Sequence, residues 1–433
     1  MNKAQKKYSF AKYITAFVFL TAIYILLFGM YNNREEIKAA FDEGYKEAKE
    51  AAAAASDEAE TEAEDTGLSD WILAGITSAE SIIDSSIAGR SRLIDIHGLF
   101  QTALGRRVIE ESKSHNYVYK MDNGQLTYAY PEYSVIWVAD QFKLLKEACD
   151  EAGSELLYVQ WPYKVNKYDN QLPHGMTDWA NYNADKLLER LEKAGIATVD
   201  YREVIRYSDK EYSSMFFNTD HHWTTETAFD AYLWLLQYLG ENYGLEYDPM
   251  LLNRDNYVFT TLPNSFIGSL ANRSGVLYAG IDDFTYIYPA FETDFVWEKY
   301  YKMGIKKALT RTGRFEESVL FMNALEDPDV AKAYRDNCYF NGNPPLAKII
   351  NNNVESGNIL YICDSYSKPV VSLLSLGVHH IEFVDLRDYA SKIVDYIREN
   401  NFDQVIVAYY PAALKNSTAA FFSFGPRIIY SEK

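Results

Sequence analysis

The sequence predicts an α/β protein: a parallel sheet flanked by helices, preceded by one N-terminal transmembrane helix. Three observations predict it. From residue 91 onward short apolar runs alternate with amphipathic stretches, the pattern of strands buried on both faces and helices covering them. Residues 13–31 contain no charge. The polar and reactive residues of the second half fall just past the predicted strands, where open α/β sheets carry their sites.

The elements follow in order. Residues 1–12 form a basic cytoplasmic end whose charges are Lys3, Lys6, Lys7 and Lys12. Residues 13–31 (YITAFVFLTAIYILLFGMY) match the roughly 20 apolar residues of a membrane-spanning helix. Lysines before the span and Glu35 and Glu36 after it put the N-terminus in the cytoplasm and the rest outside. A cleaved signal peptide is the competing reading, but Phe28-Gly29-Met30-Tyr31-Asn32 offers no small-x-small cleavage site. Residues 32–90 form an acidic Ala/Glu-rich stalk and linker, helical or disordered, with too few large apolar residues to pack.

The domain proper is expected over 91–433. Leu93 to Glu111 has a helical pattern. Tyr117 to Tyr130 reads as a hairpin turning at Asn123-Gly124. Helices are expected over Val135–Ala152, Asn183–Ala194, Thr225–Leu239 (closed by Gly240), Lys368–Leu376 and Tyr389–Asn400. Strands are expected at Glu155–Gln160, Ala197–Asp200, Asn358–Cys363, Ile381–Asp385 and Gln404–Tyr409. Residues 283–345 break the alternation and read as an insertion.

Composition excludes several classes. The 433 residues carry a net charge of −19 and no basic stripe, which argues against nucleic acid. Residues 34–65 hold 12 of the acids against 4 bases. Three cysteines, none in a CxxC spacing, exclude a disulfide scaffold and a zinc ribbon. There is no phosphate-binding glycine loop. Tyrosine is unusually frequent at 36 residues, as compositional drift or as platforms for sugar rings.

Two constellations carry chemistry. The strand ending at Cys363 runs through Asp364-Ser365-Tyr366 into a helix with Ser367 as N-cap and Pro369 in its first turn. Ser365 then sits where free helix N–H groups face a developing oxyanion; an ordinary capping Asp-Ser is the plainer reading. Asp220-His221-His222-Trp223 precedes a helix capped by Thr224. His222 is placed as a neutral general base and Asp220, two residues away, as the acid that fixes its tautomer. Adjacent histidines beside an acid also suit a metal, but His174 and the His379-His380 pair lie at no ligand spacing, and no metal is expected. His97 and His115 read as structural.

The block Asp220-His221-His222-Trp223, followed by Thr-Thr-Glu-x-Ala, resembles the namesake motif of the DHHW proteins. It is similar to the Asp-x-His-Trp block of the alginate O-acetyltransferases of the SGNH hydrolase superfamily. Val159-Gln160-Trp161-Pro162-Tyr163-Lys164, Phe266-Ile267-Gly268-Ser269 with Gly275 and Asp282, Asp364-Ser365-Tyr366 and Val384-Asp385-Leu386-Arg387 look like further blocks of that family, over roughly 91–412. Cys363 departs from the Gly or Lys expected there. The oxyanion Gly and Asn of the superfamily have no evident counterpart, leaving backbone N–H groups around Ser365 and, at most, the Asn341-Gly342-Asn343 loop.

The resemblance implies an SGNH-like sheet, Ser365 as nucleophile, His222 as base and Asp220 as orienting acid, with Ser365 Oγ within about 4 Å of the His222 ring. It implies O-acetylation of a cell-surface or secreted polysaccharide without a cofactor. It further implies a partner, a multi-span membrane-bound O-acyltransferase that supplies the acetyl group. A carbohydrate esterase with the same triad, or a non-catalytic polysaccharide-binding protein, are the alternatives. Trp161, Tyr163, Lys164, Tyr366, Arg387 and Tyr410, all at strand ends, are the expected substrate-binding residues; core packing is the plainer role for the aromatics.

Overall fold

The computed structural model describes residues 28, 31–39, 42, 90–110, 116–301, 306–328, 330, 334–389, 392–415 and 418–425. The chain divides into two compact units, Met1–Ile94 and Asp95–Lys433. In the first, residues 34–39 are helical. The expected membrane span and most of the expected stalk lie outside the described residues. Among the described residues, no helix is long and apolar enough to cross a membrane.

After helix α1 (Arg90–Ala103), strands β1 (Val108–Glu110), β2 (Tyr117–Lys120) and β3 (Leu126–Thr127) form a small antiparallel sheet. Then come α2 (Ile136–Ala152), β4 (Glu155–Gln160), α3 (Ala180–Lys193), β5 (Ala197–Asp200) and α4 (Thr225–Tyr243). Strands β6 (Tyr257–Phe266) and β7 (Asp282–Pro289) pair with each other around the short helix α5 (Ser269–Ser274). The rest comprises β8 (Phe295–Tyr301), β9 (Lys306–Gly313), β10 (Leu346–Asn351), β11 (Asn358–Cys363), α6 (Lys368–Leu374), β12 (His380–Val384), α7 (Ile393–Glu399) and β13 (Gln404–Tyr409).

The main sheet has the order β5-β4-β13-β11-β12-β10-β8-β9. Its first five strands are parallel and its last three antiparallel. Alternation along each strand feeds two cores. Leu156, Tyr158, Leu360, Ile362, Val405 and Val407 pack with α2, α3 and α7. Leu157, Val159, Tyr361, Cys363, Ile406 and Ala408 pack with α4 and α6 on the other face. Covering both faces is why these strands read as unbroken apolar runs.

Three expectations are corrected. The sheet is mixed rather than parallel: β10 pairs antiparallel with β12, and β8 and β9, which fall within residues 283–345, extend the same sheet beyond it. The helix expected to reach Glu111 stops at Ala103, and Val108 enters a strand. Helix α4 runs through Gly240 to a left-handed cap at Gly244 (φ 71°). Gly240 is needed for room instead: a Cβ there would lie 2.6 Å from the Tyr247 ring.

Candidate active site

The serine lies on a single turn between β11 and α6. Asp364 Oδ1 accepts the Tyr366 N–H at 3.0 Å, and the Asp364 carbonyl accepts the Ser367 N–H at 3.3 Å. Residues 365–367 therefore wind into one 3₁₀ turn that runs directly into α6. Of the three amides in the turn, only that of Ser365 is not spent on Asp364. Asp364 caps the turn, while Ser367, at the N-cap position of α6, makes no side-chain capping bond and its hydroxyl accepts the Trp161 indole N–H at 2.9 Å. Cys363, at the departure from the family pattern, is fully buried, and burial pushes its thiol well up, so it is an inert packing group.

The histidine loop is clamped from several sides. It folds back on itself through a bridge between Phe216 and Trp223, with the Thr224 N–H donating to Met215 O at 2.9 Å. Asp282, at the start of β7, accepts the N–H groups of Asn218 (3.0 Å) and Thr219 (2.8 Å) and the Thr219 hydroxyl (2.6 Å). The Thr219 carbonyl accepts the N–H groups of Leu270 and Ala271, both at 3.1 Å. Lys164 Nζ donates to Leu126 O at 2.8 Å and to the Asp220 carbonyl. Burial pushes this ammonium down to about 7 against the pull of Asp220 and Asp282. A neutral amine has two N–H groups, and two carbonyls receive them.

These two pieces meet. His222 Nε2 lies 3.0 Å from Ser365 Oγ, and His222 Nδ1 lies 2.6 Å from Asp220 Oδ1. The Trp223 indole N–H donates to Tyr366 O at 2.9 Å, which ties the histidine loop to the serine turn. The Tyr366 ring stacks near His222 at 5.6 Å and on Tyr410 at 4.7 Å. Asp220 also accepts the Ser269 N–H on Oδ2 at 2.5 Å. Burial alone would raise its carboxyl, but His221, His222 and these hydrogen bonds outweigh burial and hold it well below the ordinary carboxylate range. An anionic Asp220 keeps a proton on Nδ1 of His222 and leaves Nε2 as acceptor for the serine proton. His221 sits farther from Asp220 Oδ1, at 3.3 Å, and burial and His222 push it down to about 3 against the pull of Asp220.

Asp220, His221 and His222 are also a conceivable metal trio, with donor atoms within 4.8 Å of one another. Their lone pairs are already directed elsewhere: Asp220 Oδ1 faces His222 Nδ1, and Oδ2 faces the Ser269 N–H. Neither His174 nor the His379-His380 pair joins the group. The arrangement suits proton transfer better than metal binding.

The expected substrate-binding residues are placed differently. Trp161, Tyr163, Lys164 and Tyr366 are no more than 2% exposed and Tyr410 only 6%, so none has a ring face open to a sugar. Trp161 packs between Tyr201 and Trp223. Tyr163 donates its hydroxyl to Tyr128 O at 2.7 Å, and Tyr366 donates to Pro162 O at 3.0 Å. Arg387 is partly exposed but folded onto Asp385, at 2.5 Å. Trp161 and Tyr366 pack against the serine turn and the histidine loop, because strand ends in a sheet covered on both faces are still core. Sequence reasoning did not single out Tyr128, Tyr130 and Tyr133, which border an open cleft nearby; their spacing beside the hairpin was the available signal. The Asn341-Gly342-Asn343 loop contributes Asn341 O as acceptor for Lys299 at 2.6 Å.

Residues 138–275 match the model of the SGNH hydrolase-like domain of acetyltransferase AlgX. That segment holds Asp220, His222 and Gly268 and ends before Ser365. No curated protein matches the chain. Among solved structures, Bacillus cereus PatB1 is 20% identical with a TM-score of 0.55, covering 71% of this chain and 97% of its own. A DHHW family protein from Eubacterium siraeum DSM 15702 is 16% identical with a TM-score of 0.54, covering 73% and 98%. The chain shares its fold with these structures, and the matched segment is similar to an SGNH hydrolase-like domain.

Proposed function

We propose that this protein is a membrane-anchored, extracytoplasmic O-acetyltransferase acting on a cell-surface or secreted polysaccharide. The observation that carries the reading is the continuous contact Ser365 Oγ–His222 Nε2–Asp220 Oδ1, at 3.0 and 2.6 Å, beyond the carboxyl ends of parallel strands. The match to the AlgX acetyltransferase domain supports the choice of acyl group.

Ser365 Oγ gives its proton to His222 Nε2 and forms a bond to the acetyl carbonyl carbon. The bond to the donor's leaving group breaks, and that group takes the proton. In the second half a sugar hydroxyl gives its proton to His222 and attacks the same carbon. The Oγ–acetyl bond breaks and Ser365 recovers the proton. Asp220 stabilises the imidazolium that forms in each half. The Ser365 N–H is the turn's donor to the tetrahedral oxyanion. The anchor over residues 13–31 and an outward-facing domain belong to this reading, as does a multi-span O-acyltransferase partner that delivers the acetyl group.

The test is burst release of nitrophenol from p-nitrophenyl acetate, with the acetylated residue located by mass spectrometry. A stoichiometric burst with acetyl on Ser365 is expected. Ser365→Ala should lose it while stability stays within about 1 kcal/mol, because one hydroxyl is removed. A burst retained by Ser365→Ala refutes the mechanism. Free acetate as sole product in the presence of the native glycan would make the protein an esterase.

A further inference from the structure

A cavity of about 490 Å³ is lined by Tyr117, Tyr128, Tyr130, Tyr133, Arg273 and Lys415 among others. Its position relative to the serine follows from ring contacts. Tyr130 lies 6.1 Å from Tyr163, Tyr163 lies 6.2 Å from Tyr410, and Tyr410 lies 6.0 Å from His221 and stacks on Tyr366 next to the nucleophile. Lys415 is near enough for its charge to act on both His221 and Asp364, and its Nζ stands 5.9 Å from the Tyr130 ring.

The cavity wall is rigid although residues 128–133 form no helix or strand. Tyr130 donates its N–H to Asp178 Oδ1 at 2.9 Å and accepts from the Trp179 N–H at 2.8 Å. The fully buried Asn183 takes the Tyr133 N–H at 3.0 Å and donates to Pro131 O at 3.0 Å. Arg273 donates to the Tyr128 hydroxyl at 2.5 Å. Two carbonyl-type side chains, Asp178 and Asn183, are thus used to fix a tyrosine-bearing surface segment. Tyr117 remains 53% exposed, while Tyr128, Tyr130 and Tyr133 are half-buried. Rings held on a fixed backbone, with hydroxyls and cations between them, form the kind of platform that binds a sugar's apolar face while its hydroxyls find partners.

We infer that this tyrosine cleft seats the acceptor saccharide, with Tyr117 and Tyr133 as stacking residues and Lys415 as the polar contact nearest the acyl-serine. The inference rests on the acetyl-transfer reading and adds where the acceptor sits. It also accounts for transfer over hydrolysis. Water competes at about 55 M, whereas an oriented hydroxyl gains an effective molarity of about 10⁵ M or more. The step is the one described above: the sugar oxygen bonds to the acetyl carbon as the Ser365 Oγ–carbon bond breaks.

The experiment loads the full-length protein from p-nitrophenyl acetate and adds cellohexaose, chitohexaose or hexagalacturonate as acceptor probes. Acetylated sugar and free acetate are then counted per acetyl group loaded. The wild-type protein should acetylate at least one probe. Tyr117→Ala/Tyr133→Ala should lower the sugar-to-acetate ratio about tenfold, the order expected from two lost aromatic contacts. Tyr207→Ala, an exposed tyrosine outside the cleft, should keep the wild-type ratio. A double variant within twofold of wild type, or a normal burst with transfer to no probe, overturns the inference and leaves the acyl-serine intact. Absence of a burst in the wild type refutes the reaction instead. The cleft is then judged by saturation-transfer NMR of the same probes on unreacted protein: a signal lost in the double variant sustains it, and no signal overturns it.

Discussion

Gly268→Ala removes no polar atom and asks nothing unusual of the backbone, since Gly268 has φ −70°. What it changes is space. A Cβ at this position would lie 2.4 Å from Asp220 Cβ, 2.5 Å from Thr219 O and 2.6 Å from Thr219 C. Carbon atoms rest at about 3.5 Å or more, so the loop carrying Asp220 has to retreat by about 1 Å. Thr219 cannot retreat alone, because Asp282 and the Leu270 and Ala271 amides hold it. The shift opens the Ser269–Asp220 and Gly268–Thr219 hydrogen bonds, at 2.5 and 2.9 Å. Overpacking of this kind costs about 1–3 kcal/mol of stability. A misplacement of about 1 Å at a reacting constellation costs about 10²-fold in rate, or roughly 2.7 kcal/mol of barrier. The assay is the burst rate with p-nitrophenyl acetate beside urea unfolding of the same samples. Ser269→Ala is the control: the bond to Asp220 comes from the backbone amide, so the rate should stay within about threefold of wild type, which is under 1 kcal/mol of barrier. Gly268→Ala with wild-type burst rate and stability would refute the claim that this close approach positions the triad.

Asp220→Asn should lower the acylation rate by about 10⁴-fold with the fold retained, because the wrong His222 tautomer then faces Ser365; single-turnover kinetics measures it. Trp161→Ala should cost about 3–5 kcal/mol in urea unfolding, as a buried indole packed on Tyr201 and Trp223 is lost, rather than alter acceptor preference. Lys164 is pushed down to about 7 in the fold from 10.5. Between those pH values the unfolded chain holds more protons at this site, so its contribution makes stability rise with pH. Unfolding measured at pH 7 and pH 9 should show a smaller rise in Lys164→Met than in wild type.

The sequence by itself determined the local elements and singled out Asp220, His222 and Ser365, which the structure brings into contact. Glu155–Gln160, Ala197–Asp200, Asn358–Cys363 and Gln404–Tyr409 are strands with the expected bounds; all but the edge strand Ala197–Asp200 are runs buried on both faces, which announce themselves without tertiary information. Asp220, His222 and Ser365 were legible because a two-residue acid–histidine spacing and a strand-end serine are local patterns, although 143 residues separate the last two. Only the tertiary structure decided which way the added strands run, since the apolar pattern of β8 and β10 is the same for either direction of pairing. It also decided the fate of the strand-end aromatics. Trp161, Tyr163 and Tyr366 have the composition of a sugar platform, but Tyr201, Trp223, Tyr130 and Tyr410 pack against them. Tyr117 and Tyr133 look no different in sequence, yet Tyr117, at the start of β2, stays exposed, and Tyr133, whose N–H is held by Asn183, is only half-buried. Exposure is a property of what packs against a residue, and those neighbours come from distant parts of the chain.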